Sequence, residues 1–327
     1  MNFFTRFFAV FFVLSLVWIA LVYFQTGNQT KTSQWVNDAY EKKIKIANSI
    51  QKKKVIIVAG SNAMFGIDSR KISSFFKLPV VNFGVNAGLY LPYNLYKAKQ
   101  VIKKGDILLM PLEYPMYGYD GVPNEQMIDS ILSRDRALFF QLSFKEQFSI
   151  LWNVTLNRIY RGYQKKGGQE VRVGLFGVHH LDNNGDQIRT DVKYQSKWMR
   201  GRIYNHFANT PETYGKDFQE NSLGMQYIEE FVNWCRERDV KIIFMPSTLM
   251  KHNSYATDLK EKWFYNNIQN IIKNKGWNYI GNPYDYMYEK QYYFDSNFHL
   301  VKKGRELRTT QMIEDLKKSS IVKSLQP

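Results

Sequence analysis

Short apolar runs that alternate with helical stretches constrain this chain more than any other feature. The runs are 55–59 (VIIVA), 80–83, 107–110, 241–245 (KIIFM) and a weaker one at 277–280. The first ends at Gly60, the second at Gly84, and the third follows the turn Lys104-Gly105-Asp106. Runs this short and rich in β-branched residues read as strands buried on both faces. The intervening stretches, about 69–76, 91–103, 222–238, 256–274 and 302–317, carry helical spacing. In 222–238 the apolar stripe includes Tyr227, Ile228, Phe231, Val232 and Cys235, which places the one cysteine in the core. This order predicts an α/β fold, a three-layer doubly wound parallel sheet with right-handed crossovers. With 44% apolar and 16% aromatic residues in 327, a large core is available to it.

Residues 115–221 break the rhythm. Aromatic-rich helices are expected at about 125–160, followed by a Gly/Asn/Asp-rich stretch that contains His179, His180, Asp182 and Asp186. The expectation is a helical and irregular insertion over the strand ends of one globular domain, 54–327. Adjacent histidines without a second spaced pair do not make a zinc pattern, and no metal is expected.

Ahead of that domain, Phe7–Phe24 holds 18 consecutive residues without a charge. As a helix they cover roughly 27 Å, near the hydrocarbon thickness of a bilayer. The run exceeds a signal-peptide core, no A-x-A site follows it, and no nearby cysteine offers lipidation. One uncleaved transmembrane anchor at 7–24 is therefore expected, with residues 1–6 in the cytoplasm. A polar linker and a basic juxtamembrane helix follow over 25–53, with six lysines between Lys42 and Lys54. Those lysines read as a solvated helix face, or as contacts to anionic lipid headgroups.

The net charge of +16 suits nucleic acid, anionic lipid or an anionic envelope polymer equally. The anchor favours the last two, and no nucleic-acid partner is expected. No Walker loop occurs and Gly84–Gly88 does not match a dinucleotide fingerprint, so no cofactor is expected.

In open α/β sheets ligands bind beyond the carboxyl ends of the strands. After the first strand comes Gly60-Ser61-Asn62, which puts a serine on a tight strand-to-helix turn where nearby backbone amides can stabilise an oxyanion. Such turns also arise for steric reasons alone. A serine hydroxyl needs a base. Of five histidines only His299 stands in an acid/base context, four residues after Asp295 and just before the last helix. The plainer reading is a loop histidine with Asp295 as a cap. Asp68 reads as a helix N-cap. Glu113 reads either as a substrate contact at a strand end or as a solvated loop carboxylate.

Taken together, Gly60-Ser61-Asn62, Asn82-Phe83-Gly84-Val85-Asn86 and Asp295-Ser296-Asn297-Phe298-His299-Leu300 resemble the SGNH hydrolase superfamily. The resemblance is to its membrane-anchored, cell-envelope branch, which includes alginate and cellulose O-acetylation proteins and the teichoic-acid D-alanyl transfer protein. It covers roughly 54–112 and 240–318. It implies Ser61 as nucleophile, His299 as base, Asp295 as its orienter and the Ser61 and Gly84 amides as oxyanion donors. With Gly84, the residues Asn86, Asn62 and Glu113 are the candidates for the oxyanion and substrate-binding set. The usual Gly-x-Asn-Asp block is replaced by Pro111-Leu112-Glu113-Tyr114-Pro115, and Asn86 is the candidate for the donor it would supply. The acid-to-base spacing is one residue longer than the common Asp-x-x-His.

The implied function is an extracytoplasmic O-acyl transferase, for acetyl above all, acting on a cell-envelope or secreted polysaccharide through an acyl-serine intermediate. The acyl group would come from a multi-span membrane O-acyltransferase partner. A carbohydrate esterase with the same three residues, or a non-catalytic glycan-binding assembly protein, are the alternatives.

Overall fold

The structure, a computed structural model, describes residues 2–164 and 176–325. It divides into two compact units: residues 39–120 with 174–327, and residues 1–38 with 121–173.

The first unit is α/β. Five parallel strands, β1 (Val55–Ile57), β2 (Val80–Asn82), β3 (Ile107–Met110), β4 (Lys241–Phe244) and β6 (Asn278–Tyr279), form a sheet in the order β2-β1-β3-β4-β6. Register is set by Val55 opposite Val80 on one side and Ile107 on the other, with Ile107 opposite Lys241. The strands read as unbroken apolar runs because all but Lys241 of β4 and Asn278 of β6 are buried. On one face Val55, Ile57, Ile107, Leu109 and Ile243 pack with Ile72 and Phe76 of helix Ser69–Phe76 and with Met312 and Leu316 of helix Lys302–Lys318. Asp68 caps the first of these helices by accepting from the Arg70 and Lys71 amides. That helix ends at Lys77 in the left-handed region, two residues before Pro79.

A second parallel pair, β5 (Leu249–Met250) with β7 (Met287–Tyr288), is too short for any periodicity to announce. Its place matters, because the Met250 amide donates to the Asn297 carbonyl at 2.9 Å and so holds the 293–300 segment.

The expected solvated lysine face is only partly present. Lys43 and Lys54 are fully buried, Lys54 in an ion pair with Asp106 at 2.7 Å. Asp106 also accepts from the Lys54 and Lys103 amides, which ties the start of β1 to the turn before β3. Lys43 donates to the Gly84 carbonyl at 2.5 Å, and burial lowers its pKa to about 7.

In the second unit, helix Phe3–Phe24 is the one described helix long and apolar enough to cross a membrane. It starts four residues earlier than the uncharged run, because the Asn2 side chain caps it at the Thr5 amide. Helices Glu125–Ser133, Phe144–Asn153 and Leu156–Gln164 belong to the same unit. Buried Arg158 pairs with Asp129 and donates to Gln25 at 2.5 Å and Ser133 at 2.9 Å. The expected insertion 115–221 is thus not one piece. Of its described residues, 121–164 fall with the N-terminal helix, and 115–120 and 176–221 fall with the sheet. Residues 165–175 lie outside the described residues.

Candidate active site

The strand order reverses between β1 and β3, so the segments leaving their carboxyl ends diverge and open a crevice there. Ser61 leaves β1 and Glu113 leaves β3 at this crevice. Gly60 has to be glycine at this point. A Cβ on it would fall 2.4 Å from the Ala87 nitrogen and 2.5 Å from a Glu113 oxygen. Gly84 is constrained in the same way, since its Cβ would lie 2.4 Å from the Gly60 carbonyl. The turns after β1 and β2 therefore touch through backbone.

Ser61 opens the short helix Ser61–Gly66 and is half-buried. Its hydroxyl lies 2.7 Å from His299 Nε2, and His299 Nδ1 lies 2.7 Å from Asp295 Oδ1. The spacing of four residues works because 293–300 is a tight hairpin. Tyr293 bridges Leu300 in antiparallel fashion, and the Phe294 amide donates to the His299 carbonyl at 2.7 Å. The turn residues between them thereby set Asp295 beside the imidazole. Gln195 braces the hairpin by donating to the Phe294 carbonyl at 2.5 Å. The His299 ring also stacks on buried Phe65, 4.1 Å away and inclined by 6°. With its plane fixed by Phe65 and Nδ1 fixed by Asp295, Nε2 has one direction left, toward Ser61. A carboxylate accepts only, so the Nδ1 proton faces Asp295 and Nε2 is left to accept from the serine hydroxyl. Such an arrangement can activate a serine hydroxyl and orient an imidazole as its base.

No family model, curated protein or solved structure matches the chain. What the site can do therefore follows from its own geometry.

The other expected site residues divide. Asn62 is fully buried, and every polar group it has is engaged. Its Nδ2 donates to the Pro111 carbonyl at 3.0 Å, its Oδ1 accepts from Arg308 at 2.7 Å, and its carbonyl accepts from Arg308 at 2.8 Å. Glu113 is also fully buried, its oxygens accepting from the Gly60 amide at 2.8 Å and the Asn62 amide at 3.0 Å. Both differ from expectation. Glu113 is neither a solvated loop carboxylate nor open to a substrate, and Asn62 faces the interior. Together they hold the serine turn from beneath. The Ser61 amide, between the two that Glu113 takes, has no acceptor among the described residues. The Gly84 amide donates to Asn82 Oδ1 over a long 3.3 Å. Asn86 spends its side-chain oxygen on the Gly88 amide at 2.7 Å, capping the turn Ala87–Leu89.

Sequence reasoning missed Arg308, Arg305, Lys43 and Asp186. Burial pulls Arg308 below its usual pKa, against which Glu113 is among the opposing groups. Arg305 donates to the Phe65 carbonyl at 2.7 Å. Asp186 accepts from the Ser69 amide and hydroxyl and from Asn82. Asp182 accepts from the Asn184 and Asp186 amides. The carboxylates of the 182–186 loop are thus taken up by its own amides and by Ser69 and Asn82, and no metal-binding group of His, Cys, Asp or Glu occurs among the described residues. The spacing of Arg305 and Arg308, three residues apart on the helix after His299, was the available signal.

Proposed function

We propose that this protein is a membrane-anchored serine acyl-transfer enzyme of the SGNH hydrolase type, with its sheet domain outside the cytoplasm and a cell-envelope or secreted polysaccharide as acyl acceptor. The pair of 2.7 Å hydrogen bonds linking Ser61, His299 and Asp295 carries this reading. The strand order, with the serine at the end of β1 and the His/Asp hairpin just before the last long helix, supports the SGNH assignment.

Ser61 Oγ attacks the carbonyl of an acyl donor while His299 Nε2 takes its proton. Asp295 supports the resulting imidazolium. The tetrahedral oxyanion accepts from the Ser61 amide and from Gly84, whose bond to Asn82 is long enough to yield. Collapse expels the donor's alkoxide, which takes the proton from His299 and leaves acyl-Ser61. A sugar hydroxyl then repeats the sequence in reverse, giving its proton to His299 as it forms the new ester. Acetyl is the acyl group proposed, delivered by a multi-span membrane acyltransferase.

Donor consumption by the purified full chain tests the choice of acceptor. An acetyl ester should be hydrolysed slowly, and an envelope oligosaccharide should accelerate its loss while acetylated sugar accumulates, because a held hydroxyl gains from orientation as loose water does not. Fast hydrolysis indifferent to every glycan would make the protein an esterase. A folded protein inert toward donors would leave a glycan-binding role.

A further inference from the structure

The unit that contains the N-terminal helix presents a second apolar surface. Phe140, Phe144, Phe148, Trp152, Leu156 and Tyr160 recur every four residues, and all are well exposed, Phe144 by 84%. On helix Phe144–Asn153 this periodicity aligns Phe144, Phe148 and Trp152 on one side. Ile150 and Glu146 are buried, and Glu146 closes a capping box with Ser143. The helix's one acid is therefore turned inward. Its only other charge, Lys145, sits on a stem long enough to reach a headgroup.

A face this apolar on an exposed helix is not explained by packing within the unit. Its position explains it. Phe148, Leu151 and Trp152 line a common cleft with Phe11, Leu14, Ser15, Trp18 and Ile19 of helix Phe3–Phe24. The Trp18 indole donates to the Leu151 carbonyl at 3.0 Å, which fixes the two helices at this level. Residues 11–19 lie roughly 8–20 Å below the end of that helix at Phe24. If Phe3–Phe24 crosses the bilayer, whatever touches residues 11–19 stands at hydrocarbon depth.

We propose that the segment 140–160 is a second membrane-embedded element, an aromatic apron that enters one leaflet beside the span with its Phe144/Phe148/Trp152 face against acyl chains. This rests on the reading of Phe3–Phe24 as a span. The apolar surface is continuous from span to apron, and a bilayer is the occupant that covers both. The apron is held rigidly, because Arg158, in the next helix, bonds to Gln25 at the end of the span and to Asp129 and Ser133. The Gly27 amide adds a bond to the Leu132 carbonyl at 2.7 Å. The protein would then be seated in the leaflet at a set height, not hung from a single helix.

The test is depth-dependent quenching on the full chain in nanodiscs of phosphatidylcholine and phosphatidylglycerol. Phe148→Cys and, separately, Trp152→Cys carry an environment-sensitive fluorophore; both sites are exposed, so folding is spared. The native Cys235 is buried, and the unsubstituted chain should take no label. Nitroxide on the lipid acyl chains should quench both labels several-fold more than aqueous iodide does. Iodide quenching without lipid quenching would overturn the apron, as would shielding from both, which would mean cover by a second copy. A label at Val13→Cys separates the two readings. If it too escapes lipid quenching, the span has failed; if it alone is quenched, only the apron has.

Discussion

Ser61 Oγ and His299 Nε2 lie 2.7 Å apart although 238 residues separate them in the chain. One belongs to the turn after β1 and the other to a hairpin braced by a two-residue strand. Neither element alone gives the hydroxyl a base. The contact exists because helix Lys302–Lys318 sends Arg305 to the Phe65 carbonyl and Arg308 to Asn62, clamping the two ends together.

Ser61→Ala and His299→Ala should each lower turnover of an acetyl ester by on the order of 10³-fold or more, and the double variant should be scarcely worse. Losses that multiply would mean the two do not act as one unit. Unfolding midpoints should barely move, since neither change removes much apolar volume.

Asp295→Asn keeps the shape of the hairpin but offers the Nδ1 side an amide that can donate. This favours the tautomer with the proton on Nε2, which cannot accept from Ser61. A fall on the order of 10²–10⁴-fold in kcat with a small change in KM is expected. Unchanged kcat would show that Asp295 does not set the tautomer of His299.

Glu113→Ala leaves two buried amides, those of Gly60 and Asn62, without acceptors. Each orphaned buried donor costs about 1–3 kcal/mol, so urea unfolding should shift by roughly 2–6 kcal/mol. Activity should fall with it as the serine turn relaxes. A variant of native stability would show that water serves these amides equally well.

Lys43 gives a pH signature. Its folded pKa is lowered to about 7 by burial, opposed by Asp186 and Asp182, from an ordinary 10.5. Between these values the unfolded chain holds a proton that the folded chain lacks, so stability rises with pH, by up to about 1.4 kcal/mol per pH unit. Below about 7 both states are charged and the full burial penalty applies. Comparing wild type with Lys43→Met from pH 7 to 9 isolates this slope, since other titrating groups are shared. Parallel curves would contradict it.

The strands β1 to β4 were legible because burial on both faces leaves a continuous apolar run. The pair β5 and β7 was not, since two residues carry no period. The four-residue spacing suggested Asp295 as a partner for His299, and the resemblance to SGNH hydrolases, rather than the strand ends alone, joined that pair to Ser61. Glu113 could not. Flanked by prolines it reads as loop, and its partners lie more than fifty residues upstream. Lys43 and Lys54 looked like a charged face, because composition cannot tell a solvated lysine from one sealed over a carbonyl or against Asp106. The division of 115–221 between two units carries no sequence signal, since aromatic helices pack equally well against a sheet or an apolar helix.

The most direct measurement is to trap the intermediate. The full chain is mixed with an activated acetyl ester, quenched in acid within the first turnover and digested for mass spectrometry. One acetyl group should appear on the peptide bearing Ser61. It should be absent in Ser61→Ala and strongly reduced in His299→Ala, while the folded state of both is verified by circular dichroism. Donor turnover by the folded wild type with Ser61 unmodified, or label that persists in Ser61→Ala, would contradict acyl transfer through this serine.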